Sequence, residues 1–337
     1  MKTKEKIDIK KIFLPFFKNK SILITGGTGL IGRELVNFLL LCKPKTLKII
    51  SLDKFKNKNK SVKFIHGDLS NFDLCKKITK NIDIVFHLAG IKGSVKVTIE
   101  KPASFLVPLL MMNTNILEAC RINKVKRLVY TSSIGAYSEG SILTESEKKI
   151  GEPMDKFPGH AKRIAELQIK AYKKQYNIKN FYIVRPCNIY GPGDNFDERN
   201  AMVIPSLMNK ILKSKGKIKV WGNGRSLRDF AFSRDVARAI ILTCIKGTRK
   251  FEFLNIGSGK AVPIRKLVDT LKKIVSFKET YETKKNSGFT KRVLNMKNTK
   301  KILKFKPYYS LYDGLHETWN WFLKNKNESK KRKNYFL

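Results

Sequence analysis

Short apolar runs alternate along this chain with longer segments in which apolar residues recur at helical spacing. Residues 22–25, 47–52 and 82–88 are apolar runs rich in β-branched side chains, which is typical of strands buried on both faces of a sheet. Further strands are predicted over residues 62–66, 127–132 and 181–185, and helices over residues 30–39, 73–78, 105–121 and 159–176. This alternation predicts an α/β fold with a doubly wound parallel sheet covered by helices on both faces.

The rhythm changes after residue 188, where Pro and Gly become frequent and the predicted elements become shorter. We therefore divide the chain into a larger sheet domain over residues 21–187 and a smaller C-terminal, substrate-binding portion over residues 188–323. Strands or helices of this second portion can also belong to the first sheet. Residues 1–20 form a basic N-terminal extension with a short apolar segment that can pack on the body. The basic residues 324–337 are expected to be disordered.

A glycine cluster directly follows the first predicted strand and precedes the first long helix. Gly27, Gly29 and Gly32 satisfy the pattern G-x-G-x-x-G, and Gly26 adds the alternative pattern G-x-x-G-x-x-G. Glycine permits a tight turn and lets backbone N–H groups approach a pyrophosphate at a helix N-terminus. In this strand–turn–helix context the cluster predicts a dinucleotide site in a Rossmann-type fold.

The second predicted strand ends in an acidic residue at the position that binds ribose in such folds. Asp53 lies about 20 residues after Gly32, where a carboxylate accepts hydrogen bonds from both ribose hydroxyls of NAD and repels a 2′-phosphate. Lys54 and Lys56 follow at once and could accommodate that phosphate. The sequence therefore predicts NAD as the cofactor and leaves NADP open.

The composition is strongly basic, with a formal net charge of +43 over 337 residues. The excess consists mostly of lysines spread through every segment, without an arginine-rich helix or an aromatic-interleaved strand. We interpret it as general lysine enrichment that also attracts anionic small molecules, rather than as a nucleic-acid surface. RNA binding stays open as an alternative.

Cysteine usage and hydropathy suggest a cytoplasmic protein. The five cysteines are scattered, with no C-x-x-C pair and no His at metal-binding spacing, so we expect reduced thiols and no metal site. No uninterrupted apolar stretch approaches the ~18 residues of a membrane span, and the apolar part of residues 7–17 is too short for a signal sequence.

Read in order, the motifs resemble the extended short-chain dehydrogenase/reductase family, the NAD-dependent epimerases, dehydratases and reductases of nucleotide sugars. The resemblance covers roughly residues 22–323. It rests on TGGTGLIG (25–32), GDLS (67–70), HLAG (87–90), YTSSIGAY (130–137), AKRIAE (161–166), VRPCNIYGPGDNF (184–196), WGNGRSLRDF (221–230), FLNIGSG (253–259) and RVLNMKNTKKIL (292–303). GPGDNF and NAMVIP (200–205) are most similar to the branch that contains GDP-fucose synthase.

The resemblance implies roles for residues at the strand ends. In this family a Tyr exchanges the proton of the sugar hydroxyl, a Lys lowers the pKa of that Tyr and holds the nicotinamide ribose, and a Ser hydrogen-bonds the reacting oxygen. Ser133 and Lys162 match the Ser and the Lys. The implied cofactor-binding residues are Gly26, Gly29, Leu30, Ile31, Gly32, Asp53, Asp68, Leu69, Leu88, Ala89, Gly90, Lys162 and Pro186. The implied substrate-binding residues are Lys92, Ser133, Asn188, Arg225, Arg228 and Arg292.

One departure from the family pattern affects the chemistry. The Tyr precedes the Lys by four residues in the family, and this chain has Pro158 there, which cannot transfer a proton. The Cys and His that epimerise in fucose synthases would fall at Gly135 and Met202. The Asp-Glu pair of the 4,6-dehydratases would fall at Ile134 and Gly135. Neither 3,5-epimerisation of the fucose-synthase type nor 4,6-dehydration is therefore expected.

Four side chains are candidates to replace the missing Tyr: Tyr137, His160, Lys92 and Lys162. The sequence does not choose among them. The predicted function is an NAD-dependent epimerase or oxidoreductase that acts on a GDP-linked or other nucleotide sugar through a keto sugar. The resemblance also implies a homodimer built through the helices near residues 105–121 and 159–176. The alternative is a catalytically inactive member of the fold that binds NAD, nucleotides or RNA.

Overall fold

The computed structural model describes residues 1–53, 61–139, 143–145, 151–214, 216–283 and 289–326. Its strands are β1 (Ser21–Thr25), β2 (Thr46–Ser51), β3 (Val62–His66), β4 (Ile84–His87), β5 (Arg127–Thr131), β6 (Phe181–Pro186), β7 (Asn188–Tyr190), β8 (Lys217–Trp221), β9 (Leu227–Arg228), β10 (Phe230–Phe232), β11 (Leu254–Ile256), β12 (Val262–Pro263), β13 (Lys278–Glu282) and β14 (Lys291–Arg292).

The helices are α1 (Thr3–Asp8), α2 (Leu14–Phe17), α3 (Leu30–Leu40), α4 (Phe72–Thr79), α5 (Val95–Glu100), α6 (Ala103–Ile122), α7 (Lys156–Gln175), α8 (Val203–Lys213), α9 (Ser233–Lys246), α10 (Ile264–Lys272), α11 (Lys297–Leu303) and α12 (Leu311–Lys324). A π-helical segment, Ile9–Phe13, joins α1 to α2, and a short 3₁₀ turn, Ile134–Ala136, follows β5.

Seven parallel strands form the main sheet in the order β3-β2-β1-β4-β5-β6-β11. Successive residues of a strand face opposite sides of a sheet, and Ile22, Leu23 and Ile24 of β1 are all fully buried. Both faces are therefore covered, and the α/β prediction of a doubly wound Rossmann-type sheet is confirmed. The strand order reverses between β1 and β4, which is where such sheets open a crevice at their carboxyl ends.

The last strand of the main sheet comes from the C-terminal part of the chain. β11 pairs with β6, Leu254 lying opposite Val184, and α9 packs against α3 beneath the sheet. The remaining strands form three small sheets, β10-β7, β12-β9-β14 and β13-β8. Apolar side chains of these strands, such as Val220 and Phe230, form a second core with side chains of α8, α10 and α12, such as Leu207 and Trp319. This second core carries the loops that face the crevice.

The N-terminal segment is part of the folded body. Phe13 and Phe17 are fully buried in the main core. Glu5 accepts a hydrogen bond from the Tyr309 hydroxyl at 3.0 Å, and Asp8 forms an ion pair with Arg238 at 3.0 Å. The segment is basic in composition, yet its apolar and acidic side chains join the main sheet to the C-terminal residues. At the other end, α12 reaches Lys324, and residues 327–337 of the tail predicted to be disordered lie outside the described residues.

Helix α6 is long and apolar enough to cross a membrane, by length and composition alone. It packs against α4 and α7, and 44% of its most apolar window is buried inside the protein. A core helix of a globular protein passes the same test. Its exposed apolar residues Val107 and Met111 lie one helical turn apart.

Candidate active site

A cavity of about 980 Å³ opens at the carboxyl ends of the central strands. The residues that follow β1, β2, β3 and β4 line one end of it, and residues of the smaller C-terminal sheets line the other. It lies at the strand-order reversal, where α/β sheets bind nucleotides.

The glycine loop between β1 and α3 is tightly packed. Gly26 has φ +69°, and a Cβ atom there would lie 2.9 Å from the Cα atom of Ala89. A Cβ atom at Gly32, in the first turn of α3, would overlap the carbonyl oxygen of Gly26. The loop is therefore closed to larger residues, and the N-terminus of α3 faces the cavity at Gly29, Leu30 and Ile31. Backbone N–H groups placed in this way suit a pyrophosphate.

Asp53 lines the same end of the cavity and is held in place by neighbouring hydroxyls. The Thr28 hydroxyl donates to Asp53 Oδ2 at 3.3 Å and lies 2.7 Å from Ser51 Oγ. The backbone N–H of Asp53 donates to Ser51 Oγ at 3.2 Å. A carboxylate fixed beside the glycine loop suits the two hydroxyls of an adenosine ribose. Lys54 and Lys56 lie outside the described residues.

The structure brings all the sequence-predicted cofactor residues to this cavity. Its lining includes Gly26, Gly29, Leu30, Ile31, Gly32, Asp53, Asp68, Leu69, Leu88, Ala89, Gly90, Lys162 and Pro186. They come from segments that are distant in sequence, and the parallel sheet places their strand ends at one edge. The cradle around the glycine loop and Asp53 therefore fits an extended dinucleotide.

Lys162 lies on α7 and reaches back under the cavity. Its Nζ donates to the carbonyl oxygen of Thr131 at 2.8 Å and lies 5.0 Å from the centre of the Tyr130 ring. Burial lowers the pKa of Lys162 to about 8, against a smaller opposing effect of Glu166. The ammonium and the neutral amine are therefore both accessible near neutral pH.

A buried polar network beneath the cavity was not predicted from the sequence. His87 is fully buried; its Nδ1 accepts from the Thr25 hydroxyl at 2.7 Å, and its Nε2 donates to Asn113 Oδ1 at 3.0 Å. Asn113 Nδ2 in turn donates to the Tyr130 hydroxyl at 3.1 Å. Burial and the nearby charge of Lys162 lower the pKa of His87 to about 3. The neutral imidazole thus ties the ends of β1, β4 and β5 to α6.

Ser133 and Pro158 both line the cavity, as their positions in the sequence suggest. Ser133 Oγ accepts from the backbone N–H of Gly135 at 3.0 Å. Pro158 lies in the first turn of α7, where a helix has no partner for its backbone N–H groups, so the ring is tolerated. No phenol can occupy this place in the present chain.

Two of the four candidates for the missing Tyr are not at the cavity. The Tyr137 hydroxyl donates to Asn255 Oδ1 at 2.9 Å, its ring packs against the Arg185 guanidinium, and burial raises the pKa of Tyr137 well above its usual range. His160 points outward and pairs with Glu152 at 2.8 Å. Neither lines the cavity, because one is held in the core and the other lies on the outer side of α7. We therefore discard both as proton carriers.

Lys92 and Lys162 remain, since both line the cavity. Lys92 Nζ lies 3.8 Å from Asp194 Oδ1 and half of its side chain is exposed. The loop that carries Lys92 is fixed by Asn200, whose amide donates to the Lys92 carbonyl oxygen at 3.1 Å and accepts from the Ser94 N–H at 2.6 Å.

The predicted substrate residues divide into two groups. Asn188 and Arg292 line the cavity, and Asn188 Nδ2 donates to the Asp229 carbonyl oxygen at 3.0 Å. Arg225 is exposed and away from the cavity, which corrects its prediction as a substrate ligand. Arg228 lies behind the lining and donates to the carbonyl oxygens of Leu227 and Phe289. Its direct contact with substrate is therefore not supported.

Arg228 and Arg292 nevertheless lie side by side. β9 and β14 are parallel, with Arg292 in register with Arg228. Burial and the charge of Arg292 lower the pKa of Arg228 to about 10. Arg292 is 9% exposed, and its Nε and Nη2 atoms have no hydrogen-bond partner among the described residues. Arg292, with two unsatisfied nitrogens beside a second guanidinium group, would be stabilised by an anion at this end of the cavity.

Asp155 is a cavity residue that sequence reasoning missed. It lies in the turn before α7 and forms an ion pair with Arg292, Oδ1 to Nη1, at 3.0 Å. A Cβ atom at Gly135 would overlap Asp155 Oδ2. The only local signal was a glycine at position 135, where fucose synthases carry a reactive side chain.

Comparison with known proteins agrees with this geometry. The profile of the NAD dependent epimerase/dehydratase family matches residues 22–257, which include the glycine loop, Asp53, Ser133 and Lys162. The chain belongs to this family. Homologues in this family are NAD(P)-dependent enzymes, which is consistent with NAD(P) as the cofactor of this chain.

Individual relatives of this epimerase/dehydratase family member span nearly the whole chain. It is 31% identical over 317 residues to a putative UDP-glucose 4-epimerase of Methanocaldococcus jannaschii, covering 91% of this chain and 100% of the relative. It is 28% identical to the GDP-L-colitose synthase of Yersinia pseudotuberculosis, covering 91% and 99%. Among solved structures, UDP-glucose 4-epimerase of Thermotoga maritima with UDP-glucose superposes with a TM-score of 0.81 at 26% identity, covering 91% and 99%.

Proposed function

We propose that this protein epimerises or oxidises the sugar of a nucleoside diphosphate sugar through a transient keto sugar, with NAD as its cofactor. The observation that carries the proposal is the single cavity that joins the glycine loop and Asp53 at one end to Arg292 at the other. A dinucleotide fits the first end, and a diphosphate ester fits the second. When bound, the nicotinamide supplies a hydride acceptor and donor for one sugar carbon.

The residues of the chain divide the work of binding the cofactor. The N-terminus of α3 and the glycine loop hold the pyrophosphate, and Asp53 holds the adenosine ribose and repels a 2′-phosphate. Lys162, close to Gly90 and the end of β5, holds the second ribose with its ammonium group. A Cβ atom at Gly90 would lie 3.7 Å from Lys162 Nζ, so the two residues are neighbours at this place.

The diphosphate of the substrate is placed at Arg292, which lines the cavity. Arg292 forms one ion pair with a carboxylate, that of Asp155, and its Nε and Nη2 atoms have no hydrogen-bond partner among the described residues. A diphosphate supplies hydrogen-bond acceptors for these two nitrogens of Arg292. UDP-linked and GDP-linked sugars both carry this group, and the relatives include proteins named for each of the two nucleotides.

Proton transfer is assigned to Lys162. Pro158 removes the phenol of the family, and Lys162 is a cavity-lining amine whose pKa of about 8 lies near neutrality. A group with such a pKa can take the proton of a sugar hydroxyl at Nζ and return it. Ser133 lines the same cavity, and in this proposal its Oγ hydrogen-bonds the same oxygen.

The test uses the purified full chain. NAD retained by the protein is identified by mass spectrometry, and turnover of UDP-glucose, UDP-N-acetylglucosamine and GDP-mannose is followed by NMR. We expect epimer or keto product from at least one of them. Lys162→Met should lower turnover by at least about 100-fold. Lys174→Met, an exposed lysine of the same helix, is the matched control and should leave turnover unchanged.

The alternative is a protein that binds NAD without catalysis. It would be favoured if wild type retained NAD and turned over none of these sugars. RNA binding with a steep salt dependence would favour it further, because phosphate contacts release counterions.

A further inference from the structure

A carboxylate fills the space above Gly135. Asp155 belongs to the turn that leads into α7, and its backbone N–H donates to the Gly135 carbonyl oxygen at 3.1 Å. This bond brings the two residues together, and the Asp155 side chain then folds over the glycine. A Cβ atom at position 135 would overlap Oδ2. The Asp155 carboxylate thus occupies the volume in which another residue at 135 would place its own side chain.

Arg292 fixes the direction of this carboxylate. Its Nη1 donates to Oδ1 at 3.0 Å, and its side chain is 11% exposed. Asp155 is 37% exposed and lines the cavity, and Oδ2 accepts no hydrogen bond from the described residues. One oxygen is therefore anchored by the arginine, and the other is available to a ligand.

The free oxygen lies where the sugar of the proposed substrate has to be. Ser133 Oγ and Asp155 Oδ2 both border Gly135, the first through a hydrogen bond to its N–H and the second above its Cα. Pro158 and Lys162 line the cavity from α7, beside the same segment. Arg292 joins this segment to the proposed diphosphate site. A sugar that links a diphosphate at Arg292 to Ser133 passes Asp155.

We propose that Asp155 accepts a hydrogen bond from a hydroxyl of the substrate sugar and selects nucleotide-linked neutral sugars over the corresponding sugar acids. This inference rests on the proposed function. A carboxylate held by a guanidinium is an acceptor only, so it binds a hydroxyl donor with a charge-assisted hydrogen bond. The carboxylate of a hexuronate at the same place would meet a like charge in a partly buried cavity and be repelled.

The experiment compares ligands that differ only at one sugar carbon. Calorimetric titration of the NAD-loaded full chain is performed with UDP-glucose and UDP-glucuronic acid, and with GDP-mannose and GDP-mannuronic acid. Wild type is expected to bind the neutral member of a pair at least about tenfold more tightly than the acid. Asp155→Asn keeps the shape of the side chain and the contact with Arg292. It should reduce the ratio of the two affinities, neutral sugar over acid, by at least about tenfold.

Glu152→Gln is the matched control. It removes one negative charge three residues away, on an exposed side chain outside the cavity, and should keep the ratio of wild type. NAD affinity of Asp155→Asn, which should equal that of wild type, verifies the fold. A ratio unchanged in Asp155→Asn, or a wild-type preference for the acid, would overturn the inference and leave the proposed function standing. Wild type that binds NAD and none of the four sugar nucleotides would overturn both.

Discussion

Gly135 and Asp155 form a pair in which the glycine makes room for the carboxylate, since a Cβ atom on the first would overlap Oδ2 of the second. Gly135→Ala should therefore displace the carboxylate from its bond with Arg292 and destabilise the fold by about 1–2 kcal/mol. In Asp155→Ala the same glycine substitution should cost less, because the Oδ2 and Cγ atoms that it would overlap are gone and only the Cβ atom of residue 155 remains close, at 2.7 Å.

Urea denaturation of the two single variants and the double variant measures this coupling. We expect an interaction free energy of about 1 kcal/mol between the two positions. Additive changes in the free energy of unfolding would show that the carboxylate moves aside without cost, so that the position of Asp155 does not depend on a glycine at 135.

We expect activity to require that Lys162 carries a positive charge and that it can also release its proton. Arginine keeps a positive charge at all accessible pH values and cannot release its proton. Lys162→Arg should therefore bind NAD within a few-fold of wild type while its turnover falls by at least about 100-fold. The pH–rate profile of wild type should show a limb near pH 8, in agreement with the lowered pKa of Lys162, and the variant should lack it. A Lys162→Arg enzyme with normal turnover would remove Lys162 from proton transfer.

Asp53 is expected to set the choice between NAD and NADP. The carboxylate lies beside the glycine loop at the end of the cavity that suits the adenosine ribose, so a 2′-phosphate would be repelled. In calorimetry, wild type should bind NAD more tightly than NADP. Asp53→Ser should reduce the ratio of these two affinities by roughly tenfold. Asp73→Asn, an exposed carboxylate on α4, serves as the charge-matched control. Tighter binding of NADP by wild type would contradict this assignment.

His87 should make stability fall in mild acid. Its pKa is about 3 in the folded protein and about 6.5 when unfolded, so between these values the unfolded state binds one more proton. Stability contributed by this residue is complete above pH 6.5 and is lost as the pH decreases below it, by up to about 1.4 kcal/mol per pH unit. The difference in unfolding free energy between wild type and His87→Gln should therefore become smaller as the pH decreases from 7 to 4. A constant difference would exclude this effect.

The exposed apolar residues of α6 and α7 are expected to contact a second copy of the chain. Val107 and Met111 on α6 are 51% and 44% exposed, and Leu167 on the neighbouring α7 is 63% exposed. We propose a homodimer through these helices, the arrangement that the family resemblance implies. Leu167→Glu should convert the dimer to a monomer in sedimentation experiments, whereas Leu323→Glu, on α12, should not. A monomeric wild type would contradict the proposal.

Much of the cofactor site was predictable because its signals are local. The glycine loop, Asp53 and Gly90 each follow a strand, and Lys162 lies on a helix whose pattern the sequence shows directly. A parallel sheet then brings the ends of its strands to one edge, whatever the side chains between them. The predicted residues at this end of the cavity therefore all line it.

The sugar end was less predictable, because its contacts join residues that are far apart in the chain. Tyr137 follows Ser133 closely in sequence, yet the structure turns it into the core toward Asn255. The local sequence does not distinguish Arg225 from Arg292. Only Arg292 lies on a strand that reaches the cavity. Spacing along the chain carries no signal for such differences.

The sequence by itself determined the parallel sheet, the glycine loop and the absence of a tyrosine at position 158, since these depend on local periodicity and residue identity. Only the tertiary structure decided that Asp155 lies over Gly135 and pairs with Arg292, 137 residues away in the chain. It also decided that His87 is buried and neutral, and that Lys162 has a pKa near 8. The physical reason is that burial and charge proximity, which set these properties, arise only when distant segments pack together.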